Sequence, residues 1–570
     1  MSSNGNYEKD SIDFFNNSGF RIPIAFLKKK LNTKKEFKSD LELTEGKNPF
    51  YEKLFNTKDK FDTLLIPQHS QWFTNDKKFL KETQKLLKTE LPAVPEYKDI
   101  MFIRDGLLNE DNLLDKYTYF EWDKIKFLNK NQQIMQYFSL YNISSPVLSL
   151  CLPIILLIIP FFIIKCQGHK ITWSEYYKFL KLVLKNHSLG QIFNIQSASW
   201  DKRMMIFISI GFYVMQIYFN FYSCIKFIRN MKHMHYTIFG VRDYLKASIE
   251  SMKKTTNGWH KFSTYKEFNN KNKLIIDKAT VLYNELNNIS NLKWTSTKFF
   301  DIGKAMRAFY MINLDKDWNS TIDYCVYYNV YISNITNIKE QMNNKLNYCK
   351  YAKKTSFKDI YYPHISSSEI VHNDVKLDNN LIITGPNAAG KTTLLKSVIL
   401  NVLVSQQFGC GYYKSANIKP YDVLSSYINI PDTSARDSLF QAEAGRCKHI
   451  LDDILKNKNK KHLCIFDELY SGTNPYEATS AAVGYLKFIG NKNNVTYILT
   501  THYLDLCNML DKEDNVENLQ MQVETKEKDF VYTYKIINGI SKIKGGIKVL
   551  KDLNYPDEIL KECNSYLSHL

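Results

Sequence analysis

The spacing of apolar residues changes twice along the chain. Residues 1–95 are polar, and Pro92 and Pro95 mark their end. From about residue 100 to 350, apolar side chains recur at three- and four-residue spacing with few Gly or Pro, which predicts a mainly helical region. From about residue 361, short β-like runs, Gly-bearing turns and amphipathic helices alternate, the texture of an α/β domain. The fold class expected is therefore α plus α/β, in three parts: 1–95, 96–360 and 361–570, with a helical end from about residue 540.

Two stretches interrupt the helical period. Ser144 to Ile164 holds no charge, and its centre reads CLPIILLIIPFFII. Met204 to Ile225 is also uncharged, though Gln216 and Asn220 lie in it. A helix crosses the hydrocarbon layer in about 20 residues, so both are long enough to span it. Trp173, Trp200, Lys165, Arg203 and Lys226 flank them as interfacial anchors would. Pro146, Pro153 and Pro160 recur every seven residues, near one helix face. Each would cost a soluble helix about 3 kcal/mol, whereas membrane helices tolerate proline better. The expectation is a membrane hairpin, 144–164 and 204–225, and the competing reading is two buried core helices. The connecting loop carries seven Lys and Arg, which the positive-inside rule does not favour exporting. Either that rule is overridden, or the hairpin enters the membrane without fully crossing it.

Charge adds a second asymmetry. Residues 361–570 carry 23 Lys and Arg against 24 Asp and Glu, so the chain's formal net charge of +18 lies ahead of residue 361. Such an excess can face nucleic acid phosphates or anionic lipid. A coding bias toward Lys, Asn, Ile and Tyr would produce it equally well. Ten Cys without a C-x-x-C pair argue against a disulfide framework or a zinc ribbon, and fit a reducing compartment. The first twenty residues are polar and carry Glu8, Asp10 and Asp13, so no cleavable signal peptide is expected.

The candidate chemistry is concentrated after residue 380. The apolar run Leu381-Ile-Ile-Thr leads into Gly385-Pro386-Asn387-Ala388-Ala389-Gly390-Lys391-Thr392-Thr393 and then the helical LLKSVILNVLV. This is G-x4-G-K-T between a strand and a helix, the context of a phosphate-binding loop. Its glycines let backbone N–H groups wrap phosphates, and the helix N-terminus adds positive dipole. Lys391 would hold the β- and γ-phosphates of ATP, and the Thr392 hydroxyl would ligate Mg2+. A second strand, His462–Phe466, runs into Asp467-Glu468. Asp467 suits the outer sphere of the metal at the end of a neighbouring strand, and Glu468 is placed to orient or deprotonate water. A third strand, Val495–Leu499, runs into Thr500-Thr501-His502, where His502 can reach the γ-phosphate or its water.

TGPNAAGKTT (384–393), FDELYSGTNPYEA (466–478) and TTHYLDL (500–506), in this order, resemble the ATPase domain of the MutS family. Asn373-Asp374 is similar to the family's ND step, and Ser438-Leu-Phe440-Gln-Ala-Glu443 to its S-x-F-x-x-E signature. No LSGGQ of the transporter ATPases occurs. Gly546–Leu550 and Asn554–Glu558 resemble its helical C-terminal subdomain, which helps pair two ATPase domains. The resemblance implies a homodimer with two composite ATP sites. Ser438 would then reach the partner's γ-phosphate, Asn387 would touch the phosphates of its own subunit, and Ile370 and Val371 would lie near the adenine.

The chain departs from a mismatch-repair MutS ahead of the ATPase, where only about 360 residues remain and the hairpin takes up part of them. Phe50-Tyr51-Glu52 matches the Phe-x-Glu of a mismatch wedge, but about one or two such triplets arise by accident in a chain of this composition. Two function classes follow. One is a membrane-anchored MutS-like ATPase, its ATPase domain on the cytosolic side, whose ATP-driven dimer closure moves the helical region. The other is a soluble intracellular repair or recombination ATPase whose basic helices clamp duplex DNA.

Overall fold

The computed structural model describes residues 19–95, 110–186, 199–290, 301–428, 430, 439–526, 529–543, 547, 550–551 and 553–568. The chain forms two compact units. One comprises Pro95–Glu250 and Ile275–Cys325, the other Met1–Val94, Ser251–Leu274 and Val326–Leu570.

The first unit is helical, as its three- and four-residue period requires. Helix Gln132–Cys166 runs through Pro146, Pro153 and Pro160, and Asn131 caps its start by accepting from Gln133 N and Ile134 N. It packs closely on Ile302–Leu314 at Gly303. A Cβ on Gly303 would meet Gln132 O and Gln136 N at 2.5 Å, so only glycine fits. The two uncharged stretches lie in Gln132–Cys166 and in the 60-residue helix Trp200–Trp259. They run antiparallel: Tyr213 Oη donates to Ser149 O at 3.3 Å, and Cys224 Sγ to Ile143 O. Many of their large apolar side chains are exposed, among them Ile159, Phe162, Met205, Phe212 and Tyr218. Trp173, opening helix Trp173–Asn186, stacks on Phe161 with centroids 3.8 Å apart.

The second unit begins with residues whose composition is polar, yet they fold. Helix α1 (Lys35–Asp40), strand β1 (Lys30–Asn32), helix α2 (Phe50–Phe55), strand β2 (Trp72–Thr74) and helix α3 (Lys77–Leu87) are held by a few aromatics. Phe50, Tyr51, Leu54 and Phe55 are fully buried. Phe50-Tyr51-Glu52 is thus the first turn of a core helix, in keeping with a chance match to the wedge motif.

Two sheets carry the rest of this unit. The first has the order β5-β4-β8-β3-β7, with β3 (Asn347–Tyr351), β4 (Thr355–Ile360), β5 (Asn373–Leu377), β7 (Cys410–Gly411) and β8 (Ser415–Ile418). It starts ahead of the change of texture at residue 361, because alternate side chains such as Thr355 and Phe357 turn inward. The second sheet has the order β13-β12-β6-β11-β10-β9. Its members are β6 (Asn380–Thr384), β9 (Val423–Tyr427), β10 (His462–Asp467), β11 (Val495–Thr501), β12 (Val516–Lys526) and β13 (Asp529–Asn538). All neighbours are parallel except β12 and β13. Strands β6, β10 and β11 are buried along nearly their whole length, as a sheet covered on both faces demands. Helix α4 (Lys391–Phe408) is buried almost throughout, which explains its apolar sequence on every face. Helices α5 (Leu439–Lys456), α6 (Pro475–Gly490) and α7 (Leu504–Leu510) complete the domain.

Candidate functional site

Three parallel strands end side by side and set the site. Thr384 of β6 pairs with Thr501 of β11, and Asp467 of β10 pairs with Thr500. Chain order suggests β10 as the neighbour of β6; β11 lies between them instead. Asp467 nevertheless reaches the loop, because its carboxylate bridges the gap. Oδ1 accepts from the Thr500 hydroxyl of β11, and Oδ2 accepts from Thr392 Oγ1 at 2.8 Å.

The Gly385–Gly390 loop turns sharply into α4. Gly390 has φ 91° and Ala388 has φ 63°, both in the left-handed region. Glycine is also needed at 390 because a Cβ would meet the Tyr534 ring at 3.1 Å. Pro386 and Ala389 are buried, whereas Asn387 and Ala388 are exposed. Lys391 is buried at the head of α4, and its Nζ donates to Gly385 O and Pro386 O at 3.0 and 3.2 Å. Burial lowers its pKa from the ordinary lysine value, and Glu468 and Asp467 oppose that.

Glu468 sits at φ 53°, one residue past β10, with its N–H bonded to Thr500 O at 3.0 Å. A left-handed non-glycine residue is costly and persists only where the surroundings enforce it. Here it turns the carboxylate toward Lys391, 3.9 Å away, and His502, 2.7 Å away. The His502 hydrogen bond is the main cause holding the Glu468 carboxyl below the ordinary range, against a burial cost, with the charge of Lys391 assisting.

The signature residues divide. Ser438 lies outside the described residues. Glu443, by contrast, is buried and accepts from Ser471 N, Ser471 Oγ and Gly472 N at 2.9 to 3.1 Å. It thereby fixes the turn that follows Asp467-Glu468. Gly472 presses on the start of α5, where a Cβ would meet Leu439 Cγ at 2.7 Å and Phe440 N at 2.9 Å. Of the two C-terminal stretches that resemble the family, Asn554–Glu558 is described and leads into helix Asp557–Ser568. Gly546–Leu550 lies outside the described residues except for Ile547 and Leu550.

Beside the loop lies a cleft of about 550 Å3, lined by Asn387 through Leu394, Glu468 and Val371. Of the two residues that the family resemblance assigns to the adenine, Val371 is part of this lining, whereas Ile370 is half-buried and is not. Tyr361, Tyr362, Ile365, Met521 and Tyr534 also line the cleft, and sequence reasoning missed them. No local signal marks Met521 and Tyr534, which arrive from β12 and β13. Asn373 steadies that edge: it donates to Tyr534 O at 3.0 Å and accepts from Ile536 N at 2.8 Å.

The donor set suits a triphosphate with Mg2+. Among the described residues no group of three or more His, Cys, Asp or Glu could hold a metal alone. A hydroxyl and a carboxylate 2.8 Å apart at the foot of the loop match the sparse protein ligation that Mg2+ takes when phosphates supply the remainder.

Residues 381–570 match the family model MutS domain V. Over 214 residues the chain is 34% identical to the DNA mismatch repair protein MutS of Caldicellulosiruptor saccharolyticus, spanning 36% of this chain and 24% of that protein. The namesakes of Caldicellulosiruptor bescii and Clostridium botulinum are 32% and 30% identical, over 24% and 22% of their lengths. The chain thus matches about a quarter of the length of these relatives.

Proposed function

We propose, from the premise that the C-terminal domain belongs to the MutS family, that this chain binds and hydrolyses ATP as a homodimer anchored to a membrane. The observation that carries the reading is the convergence of Lys391, the Thr392–Asp467 pair and the Glu468–His502 pair at the ends of β6, β10 and β11. Lys391 would neutralise phosphate oxygens from within the loop. A magnesium ion held by Thr392 and Asp467 would supply further charge neutralisation on those oxygens. Glu468 would take a proton from the water whose oxygen attacks the γ-phosphorus, while the bond to the β-phosphate oxygen breaks. Ser438, by the family resemblance, would come from the partner subunit, so that dimer closure accompanies ATP binding and moves the helical region.

The membrane anchor is supported by the exposed apolar stretches of Gln132–Cys166 and Trp200–Trp259. Among the described residues, helix Arg203–Trp259 is long enough to cross a bilayer and contains a stretch apolar enough to do so, little of which is buried. The name of these relatives, DNA mismatch repair protein MutS, and the basic excess ahead of residue 361 favour a second reading, duplex DNA clamped by the helices.

The test compares the full chain with a variant lacking residues 144–225. Retention of the full chain in carbonate-washed membranes, lost on deletion, together with ATPase activity abolished by Lys391→Ala, is the expected result. Salt-sensitive DNA retention by a soluble full chain would replace the anchor by the clamp. An inability to take up ATP would end both.

A further inference from the structure

The residues ahead of the ATPase domain grip one place in it. Asp40, the last residue of α1, is nearly buried and faces three groups. Its Oδ2 accepts from Ser426 Oγ at 2.6 Å and from an Arg446 guanidinium nitrogen at 2.7 Å, and the Ile428 backbone N–H also donates to its carboxylate. Arg446 closes the triangle, because its Nε donates to Ser426 O at 3.1 Å. One heptad further along α5, Lys34 pairs with Asp453 and donates to Ser425 Oγ at 3.1 Å.

These contacts are not scattered over the surface. Ser426 belongs to β9 and Ile428 follows it, while Arg446 belongs to α5. They are the two stems between which the chain runs to Ser438, the residue before α5 begins. A charge-assisted pair shielded from water is directional and stiff, and losing either partner leaves the other charge buried alone. About one turn ahead of Arg446, α5 is also held by Glu443, which fixes the turn after Asp467-Glu468. The position of the helix is thus set jointly by the N-terminal residues and by the catalytic turn.

We propose that Asp40 and Arg446 are positioning residues for ATP hydrolysis in the partner subunit's site, acting by fixing the two stems that flank the segment ending at Ser438, the residue the family resemblance assigns to the partner's nucleotide. This rests on the shared-site reading given under the proposed function. The consequence is asymmetric. A subunit with the tie broken keeps its own phosphate loop and fails only as a donor to its partner.

Co-expression of full-length chains separates the alternatives. Asp40→Asn and Arg446→Lys should each lower kcat on the order of 10–100-fold, the range a small misplacement produces, while ATP uptake is retained. Either variant co-expressed with Lys391→Ala should give more activity than the two proteins assayed apart, since one site of the mixed dimer pairs an intact loop with an intact donor. Ser438→Ala co-expressed with Lys391→Ala is the control. If that control shows no recovery, the shared site is lost and the proposal with it. If the control recovers and neither tie variant does, or if both tie variants fail to take up ATP, the tie acts within its own subunit and the proposal is overturned.

Discussion

His502 Nε2 lies 2.7 Å from Glu468 Oε1 and 3.2 Å from Lys391 Nζ. An ionised carboxylate has no proton to give, so at 2.7 Å the imidazole nitrogen carries the hydrogen and donates to Glu468. Nε2 then has no lone pair for Lys391, whose ammonium instead donates to Gly385 O and Pro386 O. One ring atom therefore sets the direction of the base and leaves the lysine committed to the phosphate loop. Glu468→Gln removes the proton acceptor but keeps the shape. Turnover should fall by about 10^2–10^4-fold while ATP stays bound, as single-turnover hydrolysis and nucleotide retention would record. Normal hydrolysis by this variant would refute the assignment of the base.

The same hydrogen bond sets a pH dependence. His502 holds the Glu468 carboxyl below its ordinary range, so the reactive carboxylate form persists to more acid pH than a free glutamate would allow. Activity that needs this carboxylate is present above the lowered pKa and is lost as pH falls through it. In His502→Ala the main cause of the lowering is gone, and the acid limb of kcat against pH should move upward. An unmoved limb would separate His502 from the base, whatever the loss in rate.

Glu443 predicts a structural defect with a catalytic readout. Its carboxylate accepts from two backbone N–H groups and a hydroxyl in a buried setting. Glu443→Ala would leave Ser471 N and Gly472 N without that acceptor, at about 1–3 kcal/mol each if they stay dry. Gly472→Ala attacks the same contact from the other side, since its Cβ would strike the Phe440 backbone. Both variants should lower Tm and kcat together, and a doubly substituted chain should lose less than the sum. Additive losses would show that the turn and α5 are held independently.

How much of this could be read from the sequence depended on how local the signal was. The loop 385–393, Asp467-Glu468 and His502 are contiguous motifs following apolar strands, and the structure brings them together. The insertion of β11 between β6 and β10 is not marked, because motif order along the chain does not fix strand order in space. Met521 and Tyr534 reach the cleft from more than a hundred residues beyond the loop they cover. The polar stretch ahead of Pro92 hid a fold, because a few aromatics and long-range pairs such as Asp40 with Arg446 organise it. Those pairs leave no periodic trace.

At Phe50-Tyr51 a mismatch wedge and a core helix would behave differently on substitution. Phe50 is fully buried, and Tyr51, also buried, donates its hydroxyl toward His69 O and Gln407 Oε1 at 3.1 and 2.9 Å. Gln407 is on α4, the helix that begins with Lys391. A wedge residue must be free to enter DNA, whereas Phe50 packs in the core beside His364 and Tyr51 ties α2 to α4. Phe50→Ala should therefore cost about 3–5 kcal/mol of stability, as deletion of a buried aromatic does. Tyr51→Phe should cost about 1–2 kcal/mol, the loss of a buried hydrogen bond that leaves a partner unmet. Thermal unfolding with and without ATP measures both. A Phe50→Ala chain with unchanged Tm and a selective loss of mismatch binding would return the triplet to the role its spelling suggests.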